Sequence, residues 1–103
     1  MNPLVKAEHA ELERLCDRYH VRRLALFGSA TRPDFDPAQS DLDFLVEFEE
    51  LPPGQHADCY FGLLGELEQL FQRPIDLVEY APIRNPYLLR EIQETQVMLY
   101  EAA

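Results

Sequence analysis

The chain has 103 residues, a length that predicts one domain with a single hydrophobic core and leaves no room for a separate recognition domain. Nine Lys and Arg residues face 19 Asp and Glu residues, and the formal net charge is -10. Because nonspecific binding to DNA or RNA depends on Lys and Arg neutralising phosphates, this charge argues against direct contact with nucleic acid. The negative charge is more consistent with a basic protein as the partner.

The sequence has no apolar run of signal-peptide length and no window near the ~20 apolar residues of a membrane span. Its two cysteines, Cys16 and Cys59, lack the spacing of a metal motif or a disulfide framework and are predicted to be buried thiols. We therefore expect a cytoplasmic protein that does not contact membranes.

The first half of the chain predicts a helix and two strands. Apolar residues recur at helical spacing over residues 5–19, and the β-branched and aromatic run Val21–Phe27 predicts a strand that stops at Gly28. Residues 29–39 contain two prolines and no apolar period, so they predict a turn of helix followed by a loop. Residues 41–48 then alternate as a second strand.

The second half predicts a loop over residues 49–56, a helix over 57–71 and a third strand at Ile75–Glu79. Asn85 followed by Pro86 is a helix start, with Asn as the N-cap and Pro at the first helical position. Residues 97–100 fit either a short final strand or the end of that helix. This order predicts an α/β fold: a small mixed sheet of three to four strands with helices on one side.

Three aspartates lie at or within the predicted strands. In residues 41–48, Asp41 and Asp43 share one face of the strand, about 6 to 7 Å apart, while the opposite face is apolar. Asp76 interrupts the apolar run of the third strand, where we expect a buried charge that needs a compensating partner. A divalent cation bound by these carboxylates would supply that partner.

The order of these features carries a family resemblance. A strand ending in Gly28-Ser29 is followed by eleven residues, then by Asp41-x-Asp43 opening an apolar strand, a helix, and Asp76 within a third strand. This pattern resembles the nucleotidyltransferase superfamily of the polymerase beta type, and within it the minimal nucleotidyltransferases that act as antitoxins to HEPN-type toxins. The resemblance covers nearly the whole chain and implies that residues 1–103 form one minimal nucleotidyltransferase domain.

The resemblance also implies roles for individual residues. Asp41 and Asp43 correspond to a metal-binding pair and Asp76 to the third catalytic acid, which together would bind two Mg²⁺ ions. Gly28 and Ser29 would contact the triphosphate of ATP, and Arg32 matches an arginine often found three positions past the serine. The chain departs from the pattern in two ways: the spacing before Asp41 is one residue longer than the commoner one, and Pro33 stands where glycine is usual.

The activity implied by the resemblance is transfer of AMP from ATP to a cognate HEPN-type RNase toxin, at a tyrosine hydroxyl, which neutralises the toxin. Two alternatives stay open: an antitoxin that neutralises the toxin by contact alone, and a nucleotidyltransferase that acts on a small molecule or RNA. The sequence also leaves open whether the chain forms a homo-oligomer or a hetero-oligomer with the toxin.

Overall fold

The computed structural model describes residues 2–33, 36, 41–80 and 83–102. Its elements in chain order are α1 (Pro3–Ala7), α2 (His9–Arg18), β1 (Val21–Phe27), a short 3₁₀ helix (Gly28–Thr31), β2 (Leu42–Phe48), α3 (Pro53–Phe71), β3 (Ile75–Glu79), α4 (Pro86–Thr95) and β4 (Val97–Glu101).

The strands form one mixed sheet in the order β3-β2-β1-β4. β2 and β3 run parallel, while β1 is antiparallel to both β2 and β4. The α/β prediction with a small mixed sheet is confirmed. The last segment is a strand, because the backbone of Val97–Glu101 pairs with β1 and buries Leu99.

Two predicted helices differ from the structure at their beginnings. The single helix predicted over residues 5–19 is two helices, because the backbone at Glu8 leaves the helical conformation between α1 and α2. Helix α3, which was predicted over residues 57–71, begins four residues earlier at Pro53, so the loop before it is shorter than predicted. Proline at the first helical position costs no hydrogen bond, since the first N–H groups of a helix have no partner within it.

Helices cover both faces of the sheet, so the prediction of helices on one side was wrong for α4. Helices α1, α2 and α3 pack on the face formed by residues such as Leu24, Leu26 and Phe44. The opposite face is covered by Ile92 of α4, in a second cluster with Ala25, Phe27 and Leu45. Since β1 is apolar on both faces in its second half, both faces need cover.

Cys16 and Cys59 are both buried and unpaired, as predicted. Burial raises the pKa of the Cys16 thiol to about 12, so this side chain is an inert part of the core. Among the helices of the described residues, none is both long and apolar enough to cross a membrane.

Candidate active site

The Gly28–Ser29 turn lies where β1 ends and the 3₁₀ helix begins. Gly28 has φ +72°, a left-handed backbone conformation that glycine adopts without the steric cost a side chain would add. Its N–H donates to Thr95 Oγ1 at 2.8 Å, and its carbonyl accepts a hydrogen bond from Thr31 Oγ1, also at 2.8 Å. Both polar groups of Gly28 are thus bonded within the protein, and Ser29, half-buried, follows directly.

Asp43 and Asp76 are neighbours across the parallel β2–β3 ladder, in which Asp43 pairs with Asp76 in register. Residues paired in this way project their side chains from the same face of the sheet, here the face that α4 covers. Asp43 is half-buried, whereas Asp76 is exposed. The predicted burial of Asp76 was wrong, because β3 is an edge strand and its apolar neighbour Leu77 faces the opposite side.

Asp41 lies one residue before β2 and is exposed. The predicted strand therefore began one residue too early, and Asp41 is on the connection that enters the strand. Burial is the main cause of a raised pKa of the Asp43 carboxyl, and the negative charge of Asp41 adds the smallest of the contributions to it.

Glu91 of α4 is a fourth acid at this site that the sequence pattern did not predict. A β-carbon placed on Gly28 would lie 2.7 Å from Asp43 Oδ2 and 2.9 Å from Glu91 Oε1, so both carboxylates face the space that a side chain at Gly28 would fill. The sequence offered one signal for the position of Glu91, namely its apolar neighbour Ile92. In the structure Ile92 is buried, and this turns its side of α4 towards the sheet. From the sequence alone, Glu91 could not be distinguished from the exposed Glu94.

Burial raises the pKa of Asp43 to about 6, with further contributions from the negative charges of Asp76, Glu91 and Asp41 in that order. This result agrees with the expectation that clustered carboxylates without a cation repel each other. Within the described part of the chain, no basic side chain forms an ion pair with Asp43, Asp76 or Glu91. Among the described residues, the negative charges of these acids are therefore not compensated by ion pairs.

Among the described residues, no group of three or more His, Cys, Asp or Glu side chains is already arranged as a metal site. The chemistry of the donors nevertheless suits Mg²⁺, which prefers oxygen ligands and combines one or two carboxylates with water and substrate phosphates. The Gly28 turn also leaves open the space beside Asp43 Oδ2. Asp41, Asp43 and Asp76 are the residues that could hold such ions, and the Glu91 carboxylate faces the same space beside Gly28 as that of Asp43.

Arg32 is exposed at the end of the 3₁₀ helix, and its backbone N–H donates to the carbonyl of Ser29 at 3.1 Å. It forms no ion pair with an acid of the described residues. The predicted turn of helix after Gly28 is confirmed. Most of the loop predicted beyond it, residues 34, 35 and 37–40, lies outside the described residues.

Comparison with known sequences identifies relatives over most of the chain. The profile of the family described as "nucleotidyltransferase domain" matches residues 11–98. MJ1379 of Methanocaldococcus jannaschii, named as a predicted protein adenylyltransferase, is 36% identical over 80 residues, which are 78% of each chain.

Solved structures show the same fold. The solved structure of a protein described as a candidate minimal nucleotidyltransferase is similar to this chain, with a TM-score of 0.64 and 29% identity over 90% of each chain. The complex of a tri-AMPylated HEPN toxin of Shewanella oneidensis with its MNT antitoxin contains a chain that matches with a TM-score of 0.63 and 16% identity, over 94% of this chain and 72% of that one. A toxin–antitoxin structure with AMP-PNP matches similarly, with a TM-score of 0.65 and 17% identity over 91% and 73%. At these two lower identities the likeness concerns the fold alone.

The profile match spans the Gly28 turn, the Asp41-x-Asp43 strand, Asp76 and Glu91, and the structural similarity extends over nine tenths of the chain. The chain therefore belongs to the nucleotidyltransferase family.

Proposed function

We propose that this enzyme transfers AMP from ATP to a HEPN-type RNase toxin and so acts as its antitoxin. The observation that carries the proposal is the position of Asp43, which lies beside Asp76 in the sheet and next to the Gly28–Ser29 turn. Acids at this position can hold divalent cations, and the turn lies where a triphosphate would have to approach them. The two requirements of nucleotidyl transfer, a site for divalent cations and a site for the triphosphate, thus lie together beside Asp43.

Asp41, Asp43 and Asp76 would hold two Mg²⁺ ions, which supply neutralisation of the phosphate charge during transfer. The residues of the Gly28–Ser29 turn would contact the phosphates directly. Gly28 leaves room for a phosphate because it has no β-carbon, and the Ser29 hydroxyl would donate a hydrogen bond to a phosphate oxygen.

Asp76 is suited to act on the acceptor, because it is exposed at the edge of the sheet while Asp43 is half-buried. Its carboxylate would accept the proton of an incoming hydroxyl as the hydroxyl oxygen bonds to the α-phosphorus. The bond from that phosphorus to the bridging oxygen breaks, and pyrophosphate leaves. An exposed base can be reached by a side chain presented on the surface of another protein, such as a tyrosine.

Three observations favour a toxin as the acceptor. Relatives of the chain include a predicted protein adenylyltransferase, and a chain of the same fold occurs in the complex of an AMPylated HEPN toxin with MNT antitoxin. The net charge of -10 favours a basic partner such as an RNase over nucleic acid. We propose a hetero-oligomer of this chain with its toxin, in the cytoplasm, where ATP is available and unpaired cysteines are usual.

The experiment incubates the chain with ATP, Mg²⁺ and the product of the adjacent gene, and measures the mass and the RNase activity of that product. We expect one or more AMP additions on a tyrosine together with loss of RNase activity, and neither with Asp43→Asn. If Asp43→Asn neutralises the unmodified toxin fully at equal stoichiometry, the chain acts by contact. AMP incorporated into RNA or a small molecule, with the toxin unmodified, would point to a different acceptor.

A further inference from the structure

The hydroxyl of Thr95, the last residue of α4, bonds to two backbone groups. It accepts the N–H of Gly28 at 2.8 Å and donates to the carbonyl of Glu91 at 2.6 Å. A hydroxyl has one proton, and here that proton is directed to Glu91. The oxygen of Thr95 can therefore serve Gly28 only as an acceptor, which is the role that the N–H of Gly28 requires.

The same helix reaches the acids. Glu91 lies one helical turn before Thr95, and its carboxylate faces the space beside Gly28 that Asp43 also faces. Ile92, between them, is buried against Phe27 and Leu45, which are parts of β1 and β2. Helix α4 thus contacts both the Gly28 turn at the end of β1 and the residues around Asp43 on β2.

We infer that Thr95 is a positioning residue for nucleotidyl transfer, and that its hydroxyl holds the Gly28–Ser29 turn in the orientation in which Ser29 meets the triphosphate beside Asp43. This inference rests on the proposed use of ATP. Gly28 is buried and left-handed, and its N–H and its carbonyl are held by different threonines, Thr95 and Thr31. Without the acceptor at Thr95, the Gly28 N–H would have to turn towards another oxygen, and Ser29 would move with it.

The test compares binding of AMP-PNP with Mg²⁺, measured by calorimetry, in the wild type, Thr95→Val, Thr95→Ser and Glu94→Gln. Valine keeps the shape of threonine without the hydroxyl, and serine keeps the hydroxyl without the methyl group. Glu94 lies beside Thr95 but is exposed and pairs only weakly with Arg90, so Glu94→Gln is the matched control. Melting temperatures are recorded in parallel, and binding is measured well below them.

We expect Thr95→Val to weaken binding about tenfold, the effect of losing one hydrogen bond to the turn. We expect Thr95→Ser and Glu94→Gln to stay within about twofold of the wild type, a margin well below the factor of ten that corresponds to 1.4 kcal/mol. If Thr95→Val does not fold, Thr95→Cys, a weaker acceptor, replaces it with the same expected direction.

Three outcomes would overturn the inference. Wild-type affinity in Thr95→Val despite a lower melting temperature would make the residue merely structural. Weaker binding in Thr95→Ser with wild-type affinity in Thr95→Val would assign the effect to packing of the methyl group, which valine keeps and serine lacks. A wild type that does not bind AMP-PNP at all would contradict the proposed function itself, and is distinguished from the other two because no variant is needed to see it.

Discussion

Asp43 and Asp76 face the same side of the sheet as register partners of two parallel strands, and Asp43 is the more buried of the two. In the proposed function, this difference in burial would give the two aspartates different tasks. The more enclosed carboxylate lies beside the Gly28 turn, where the nucleotide is expected. The exposed one lies on an edge strand, where an acceptor from another protein can approach.

Asp43→Asn should reduce AMP transfer to the toxin at least ~100-fold, equivalent to ~2.7 kcal/mol of activation free energy, because it removes a metal-binding charge while preserving shape. The rate is measured as AMP incorporated per minute under saturating ATP. Asp58→Asn is the control, since Asp58 is an exposed acid of α3 outside the site. Retention of more than about a tenth of the wild-type rate, ~1.4 kcal/mol, would exclude Asp43 from catalysis.

The contribution of Asp43 to the stability of the metal-free protein should fall as the pH rises from about 4 to about 7. The pKa of Asp43 is raised from 3.8 to about 6 in the folded state, so folding favours its protonated form. The resulting stability is fully present below pH 3.8 and is lost as the pH passes 6. The Asp43→Asn variant should not show this loss of stability, because asparagine does not titrate.

Thermal melts in EDTA should therefore show Asp43→Asn gaining a few degrees over the wild type at about pH 8 and little at about pH 4, since ~1 kcal/mol corresponds to about 4–8 °C in a domain of this size. The partial exposure of Asp43 keeps the effect modest. Asp58→Asn serves again as the control. A difference between Asp43→Asn and the wild type that does not change with pH would show that the carboxylate of Asp43 is not under this repulsion.

ATP together with Mg²⁺ should raise the melting temperature of the wild type by ~10 °C at a concentration about a hundredfold above Kd, which corresponds to ~2.7 kcal/mol of linked stabilisation. ATP with EDTA should have a much smaller effect, because the acids then repel the phosphates. Asp43→Asn should respond weakly to both. Equal shifts with and without Mg²⁺ would contradict a metal-dependent nucleotide site.

Gly28→Ala should lower both stability and activity. The left-handed backbone at φ +72° costs ~1–2 kcal/mol for alanine, and the added β-carbon would meet the carboxylates of Asp43 and Glu91 at 2.7 and 2.9 Å. We expect loss of AMP transfer beyond what the fall in melting temperature explains, measured on the folded fraction at low temperature.

Gly65→Ala is the matched control for Gly28→Ala. Gly65 lies within α3 and is exposed, and no atom outside its own helical turn lies within 4 Å of the position that a β-carbon would take, so alanine should stabilise the helix by roughly 0.5–1 kcal/mol. Its AMP transfer should match the wild type. Wild-type transfer in Gly28→Ala would show that the turn does not need glycine.

The amino-acid sequence by itself determined the bounds of β1 and β3 and the position of the Gly28 turn. Val21–Phe27 and Ile75–Glu79 have the bounds that local β-branched and apolar runs predicted, because the period of a strand is a property of neighbouring residues. The turn after Phe27 was predictable for the same reason, since a glycine ends the apolar run. The family resemblance grouped Asp76 with Asp41 and Asp43, but the pairing of Asp43 with Asp76 in register is a finding of the structure.

Only the tertiary structure decided which acids meet and how exposed they are. Asp76 is exposed because β3 lies at the edge of the sheet, a fact that depends on strand order. Glu91 and Thr95 reach the site because α4 crosses to the face opposite the other helices and buries Ile92 there. Helical periodicity identifies an inward face of α4, but it does not say which face of the sheet receives it; that is decided by packing between segments far apart in the chain.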